Sequence, residues 1–211
     1  MKNIVENVKV YGLEESIRRA KFPMAVDTDS LNCELTKGIK ALAQSNAGEG
    51  HDQWLSSVIV QFDLTCSVKM WTEFQRYHFF DFCSSQSTMH RITRFDLDSQ
   101  YDNHVDPRII DIMKEKVEEY NELQASSSHW TADCMSQSEI DENNRELKEK
   151  YLEILYSNPC GFKLTAGITT NYRQLKTMYK QRKNHRLPEW REFCKWIKTI
   201  PMSELIIGEK Q

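Results

Sequence analysis

The chain has 211 residues, 39% of them apolar and 28% charged, with a formal net charge of -3. That length suits one domain with a sizeable core, and the slightly acidic balance excludes a global basic field of the kind that binds a nucleic acid polymer. No stretch approaches the ~18 apolar residues of a membrane span, and the N-terminal run from Met1 to Val26 has no signal-peptide character, so the expectation is a cytosolic protein without membrane contact.

In chain order, residues 14–22 and 30–45 read as helical, and Asn46-Ala47-Gly48-Glu49-Gly50 as a glycine-containing turn. Val58, Val60, Phe62 and Leu64 alternate with Ile59, Gln61 and Asp63, which predicts a strand with one strongly buried face. Ser67 is placed to cap a helix from Val68 to about Phe80, with Trp71, Phe74 and Tyr77 or His78 at helical spacing. Asp106-Pro107 is a helix start: a capping residue, then proline at the first helical position. Ile109, Ile110, Met113, Val117 and Tyr120 follow as one apolar stripe, expected to be core. The serine-rich segment 124–137 reads as a loop, and Ser138 is placed to cap a helix that Pro159-Cys160-Gly161 breaks. Phe162 to Thr169 reads as a short strand. Thr169 or Thr170 then caps a helix from Asn171 to Arg182, and Pro188 starts a last helix. Separated strands with helical cover predict an α+β or α/β fold; periodicity leaves the sheet topology open.

Six cysteines, Cys33, Cys66, Cys83, Cys134, Cys160 and Cys194, contain no Cys-x-x-Cys pair, so no structural zinc site is expected. Small buried hydrophobes are the commoner role for such thiols. Gly-x-Gly-x-x-Gly, Walker, Gly-x-Ser-x-Gly and His-Glu-x-x-His signatures are all absent.

Three segments concentrate polar groups that a plain core does not need. Gly50-His51-Asp52 precedes the first strand and puts a histidine where an aromatic cofactor or a phosphate could meet it. The run from Gln75 to Arg91 contains Ser84-Ser85-Gln86-Ser87-Thr88, whose hydroxyls and amides suit a phosphate or a base edge, although composition alone favours a solvated turn. On the helix from Asn171, Arg182 returns to the same face with Leu175 and Met178 between. An arginine there must meet a carboxylate, phosphate or carbonyl, or snorkel to the surface. The basic run Lys176, Lys180, Arg182, Lys183, His185 and Arg186 otherwise reads as an ordinary solvated face or an anion-collecting rim.

These segments, in this order and spacing, resemble the flavin-dependent thymidylate synthases. The Gly50-His51 turn before a Val/Phe-rich strand is similar to the family's flavin-contacting histidine. Gln75 and the Gln86-Ser87-Thr88-Met89-His90 run are similar to its signature-motif region. Pro159, Asn171-Tyr172-Arg173 and Arg182 resemble its C-terminal Pro, Asn-x-Arg and distal Arg, and the likeness covers roughly 48–92 and 150–197. It implies an α+β fold, a mixed sheet flanked by helices, with 1–211 as a single domain assembled into a homotetramer. It implies FAD as cofactor, NADPH and methylenetetrahydrofolate as co-substrates, and transfer of a one-carbon unit to C5 of dUMP without a cysteine nucleophile. By position, His51, His78, Asn171, Arg173 and His185 would contact FAD. Gln75, Gln86, Ser87, Thr88, His90 and Arg182 would contact the pyrimidine nucleotide, Arg182 placing its fork on the base as the catalytic polarising group.

The sequence departs from the family at the motif itself. Ungapped, Arg-His-Arg becomes His78-Phe79-Phe80, Asn-Glu becomes Ser85-Gln86, and the last arginine becomes His90, with Arg91 adjacent. Loss of arginine at an anion contact is not conservative. The departures imply a divergent branch, of phage type or specialised for another pyrimidine nucleotide. They also support an alternative, a non-catalytic or repurposed flavin- or nucleotide-binding protein on the same fold. A helical interaction protein explains the charged helices at 107–123 and 138–156 but leaves the serine-rich run beside three aromatic residues unexplained.

Overall fold

The computed structural model describes residues 4–46, 48–127 and 135–208; Ala47 of the glycine turn, Cys134 and the middle of the serine-rich segment lie outside them. Four strands form one sheet in the order β1-β2-β4-β3: β1 (Val5–Tyr11), β2 (Ile59–Ser67), β3 (Phe80–Ser85) and β4 (Lys163–Asn171). β1 pairs antiparallel with β2, and β3 with β4. Thr65 bonds Thr165 at 2.7 Å and Gln61 bonds Thr169 at 3.3 Å, so the central pair also runs in opposite directions. The sheet is therefore antiparallel throughout, not mixed.

Two strands had no clear period in the sequence, for a shared reason. In β1, Val5 and Val8 are out of phase for a simple strand. A bulge between Glu6 and Lys9, with Asn7 at φ 54°, inserts the residue that returns Val8 and Val10 to the face of Val5. In β3, a register shift between Phe82 and Ser84 hides the alternation in the same way. The helix expected over 68–80 accordingly ends early. Helix α3 covers Val68–Phe74, then turns, and Phe80 enters the sheet.

The other helices are α1 (Leu13–Arg19), α2 (Lys37–Ala43), α4 (Thr88–Arg91), α5 (Leu97–Gln100), α6 (Pro107–Ser127), α7 (Gln137–Ser157), α8 (Tyr172–Arg182), α9 (Pro188–Ile197) and α10 (Glu204–Ile207). The helix expected over 30–45 shrinks to α2. Thr36 caps it by accepting from the Ile39 N–H, and upstream Asn32 Oδ1 takes the Glu34 N–H at 3.1 Å, a local bond that competes with helix.

The chain divides into two compact units. The first comprises Met1–Cys66, Met70–Ser85 and Thr165–Gln211. Its core is a ring cluster: Phe74 stacks on Phe80 at 4.2 Å and 8°, and lies 4.4 Å from Trp190 and 5.6 Å from Phe193. α8 and α9 close this core with Tyr172, Leu175, Met178, Trp190, Phe193 and Ile197, all fully buried.

The second unit comprises Ser67–Lys69 and Gln86–Leu164. α6 and α7 pack side by side there, with Met113 and Ile154 buried and the Tyr120 and Tyr151 rings 5.2 Å apart. Asp106 starts α6 by accepting the Arg108 N–H at 3.0 Å. Ile109, expected in the core stripe, is 40% exposed. The cap of α7 is Ser136 rather than Ser138, in a capping box with Glu139.

Candidate functional site

All site geometry described below lies in the first unit. α8 is its backbone. The helix is capped by Asn171, not by Thr169 or Thr170, whose Oδ1 accepts the Gln174 N–H at 2.8 Å. Asn171, Leu175, Met178 and Arg182 are buried along one face of the helix. Loss of the cap in Asn171→Ala is expected to cost about 1 kcal/mol of stability in a urea melt, whereas Asn171→Asp keeps the acceptor and costs less.

A cavity of about 640 Å³ opens over the start of α8, lined among others by Gly48, Asp52, His78, Phe79, Asn171 and Arg173. Its wall holds an ion triad. Arg173 Nε donates to Asp52 Oδ1 at 3.0 Å, and Lys176 Nζ donates to Asp52 Oδ2 at 2.7 Å and to the Ser45 carbonyl at 2.8 Å. Asp52 is 5% and Lys176 3% exposed, so Lys176 is not on a solvated face as its sequence context suggested. Burial by itself pushes the Asp52 carboxyl up, but the hydrogen bonds and charges of Lys176 and Arg173 outweigh it and hold the group below the usual aspartate range. The three groups sum to one positive charge, and only Nε of Arg173 is bonded to Asp52. Arg173 lines the cavity, and its two Nη groups are donors of the kind that bind an anion.

A second cavity of about 350 Å³ adjoins the first, sharing His78, Gln174 and Thr177, and adds Arg76, Tyr77, Gln181 and Arg182. Arg182 is 8% exposed and meets the carboxylate that its position demands. Nη1 donates to Glu73 at 3.1 Å and lies 2.9 Å from His185 Nε2, while Nε donates to the Tyr77 hydroxyl at 2.8 Å. Its guanidinium lies 4.7 Å from the centre of the Trp190 ring, and the Trp190 indole donates to the same Glu73 oxygen at 2.9 Å. Two of its three nitrogens are therefore committed, which leaves Nη2 rather than a full fork.

The structure thus brings His78, Asn171 and Arg173 to the larger cavity and His78 and Arg182 to the smaller, with His185 against Arg182. His51 is exposed on the turn before Asp52, and Gln75 is exposed in the turn after α3; neither lines these cavities. Gln86, Ser87, Thr88 and His90 belong to the second unit, where Ser87 precedes α4 and the Tyr151 hydroxyl donates to the Met89 carbonyl at 3.0 Å. Phe80, at a position where the resemblance expects arginine, is a core ring, whereas Phe79 is 61% exposed beside the larger cavity. Glu73 and Gln181 carry the site without having been singled out in the sequence, Tyr77 was named only for its helical spacing, and Asp52 and Lys176 were named in polar segments without the role the structure gives them. Only a buried position of Lys176 on the helical wheel was available as a signal, since their partners are remote in sequence.

Burial pushes the Cys194 thiol up to about 11 and the Cys66 thiol well above its ordinary value, so both are protonated at neutral pH. Among the described residues no group of His, Cys, Asp and Glu could hold a metal ion. No helix of the described residues is long and apolar enough to cross a membrane.

These features define an α+β protein with an open cavity at one helix start, lined by Arg173 and Asp52 and backed by buried Lys176. No family model and no curated protein matches the sequence. The fold is that of the flavin-dependent thymidylate synthases. Two structures of the Helicobacter pylori enzyme ThyX with FAD and dUMP align over 97% of both chains, with TM-score 0.65 and 12% identity. The UMP/dUMP methylase PolB from Streptomyces cacaoi, bound with 5-Br dUMP, aligns over 95% of this chain and 94% of its own, with TM-score 0.55 and 15% identity.

Proposed function

We propose that this protein is a divergent, FAD-dependent one-carbon transferase acting at C5 of a pyrimidine nucleotide, with dUMP to dTMP as the default reaction. The observation that carries the reading is the Asn171-capped start of α8, where the Arg173–Asp52–Lys176 triad presents a net positive charge to a cavity of about 640 Å³. The donor set fits a flavin nucleotide. Arg173 offers two Nη groups to a phosphate, Asn171 keeps its amide N–H₂, and exposed Phe79 offers an aromatic face. When bound, the flavin supplies the reducing equivalents that turn a transferred methylene into a methyl group.

Within this reading Arg173 binds and orients the cofactor, and Asp52 holds the Arg173 fork in place. Arg182 Nη2 donates to a carbonyl of the pyrimidine, and Glu73 and Trp190 fix its plane. Roles for His51 and His185 toward the cofactor and for Gln75 toward the nucleotide are carried by the resemblance alone, as are those of Gln86, Ser87, Thr88 and His90, which lie in the second unit. NADPH as reductant, methylenetetrahydrofolate as carbon donor, a homotetramer and a cytosolic location belong to the same proposal, carried by the resemblance.

The test begins with the visible spectrum of the protein after FAD addition and desalting. Retained oxidised-flavin bands are expected, with affinity reduced about 10- to 100-fold in Arg173→Ala. A spectrum free of flavin, with no response on titration, would sink the proposal. Arg182→Ala should abolish dUMP turnover; intact turnover would remove Arg182 from its role. A second reading, a non-catalytic flavin or nucleotide binder, is favoured by Phe80, which spends a signature position on the core. One-carbon transfer measured with dUMP would eliminate it.

A further inference from the structure

His185 stands between two groups that can only donate. Arg182 Nη1 lies 2.9 Å from its Nε2, and the Leu187 N–H points at its Nδ1 over 3.2 Å. A neutral imidazole has one bare nitrogen and one N–H, so it satisfies one of these donors and turns its own N–H on the other. Turning the ring over puts carbons at both places and satisfies neither. The shorter, charge-assisted bond from Arg182 outweighs the neutral one from Leu187. In this geometry His185 therefore carries its proton on Nδ1, and bare Nε2 holds Arg182.

The opposite tautomer finds partners in the same place. Nε2 lies 3.6 Å from Glu73 Oε2, which already takes Arg182 Nη1 and the Trp190 indole, and a bare Nδ1 would accept the Leu187 N–H. That tautomer cannot hold Arg182, whose Nη1 reaches both Glu73 and His185. We infer that His185 is a positioning residue for Arg182 that works by exchanging tautomer. Bare Nε2 fixes the guanidinium as it stands here, and Nε2–H releases Nη1 so that both Nη groups meet a pyrimidine carbonyl end-on. The role rests on the proposed nucleotide site and adds to it the residue that sets how Arg182 is presented. The proton crosses from Nδ1 to Nε2 through water, which reaches a side chain 25% exposed, and none is taken up or lost. His185 acts through Arg182 and needs no contact with the nucleotide.

The test is the long-range proton–nitrogen correlation spectrum of FAD-supplemented protein labelled with heavy nitrogen at histidine, which separates bare from protonated ring nitrogens. The His185 signals are those lost in His185→Gln. Before dUMP is added, the Nδ1–H form is expected to exceed the Nε2–H form about 10-fold. Saturating dUMP should reverse the ratio. Arg182→Met removes the competing donor and should give Nε2–H without dUMP; the two wild-type spectra decide the matter even where that variant does not fold. A merely structural histidine would keep one tautomer throughout. A majority of Nε2–H before dUMP is added, or Nδ1–H unchanged once calorimetry shows dUMP bound, overturns the inference and leaves the proposed function standing. Absence of dUMP binding overturns both.

Discussion

Asp52→Ala is expected to lower the unfolding free energy by about 3–5 kcal/mol, because it strands a buried ammonium and a half-buried guanidinium without their shared anion. Urea unfolding monitored by tryptophan fluorescence reads the effect. Asp52→Ala combined with Lys176→Met should recover much of the loss, since removing both buried charges costs far less than removing one. A loss under about 1 kcal/mol in the single variant would show that Lys176 finds water instead.

The pH dependence has a definite sign. The Asp52 carboxyl lies below its ordinary range in the folded state, so its contribution is fully present at neutral pH. It begins to fall as pH drops through the unfolded aspartate value of about 4, and is gone below the lowered folded value. Wild type should therefore lose more stability on acidification than Asp52→Ala over that window. Parallel curves would remove the triad from the explanation.

Glu73→Ala is the second large effect, expected at about 3–5 kcal/mol, because one carboxylate oxygen serves both Arg182 Nη1 and the Trp190 indole. Trp190 is fully buried and Arg182 is 8% exposed beside the ring cluster, so the indole N–H in particular loses its partner. Glu73→Gln keeps an acceptor and should cost about half as much, with the Arg182 guanidinium still over the Trp190 ring. If Glu73→Ala unfolds with an unchanged midpoint, Arg182 is held by its ring contacts and Tyr77 alone.

Much local chemistry was legible where the deciding partner lay within a few residues, although the caps of α7 and α8 are Ser136 and Asn171 rather than Ser138 and Thr169 or Thr170. The alternation of Val58 to Leu64 gave β2, Asp106-Pro107 the start of α6, and the 11-residue return from Asn171 to Arg182 the buried face of α8. The requirement that a buried Arg182 meet an anion was also legible, because an unpaired buried charge is too costly to persist. The identity of that anion was not. Glu73 lies 109 positions away, and Asp52 lies 124 positions from Lys176. On the helical wheel Lys176 falls only about 40° beyond buried Tyr172, yet its charge made it read as solvated, since lysines are seldom buried without a partner.

The bulges in β1 and β3 were hidden for a different reason. One inserted residue reverses the phase of every later side chain, so a strand that is regular in space is irregular in sequence. By itself the sequence determined separated strands under helical cover and placed Arg182 on the apolar face of a helix, where it either pairs or snorkels. Only the tertiary structure decided which carboxylates hold the cations and that Phe80 is core. Each of these depends on atoms brought together by chain closure rather than by neighbouring residues.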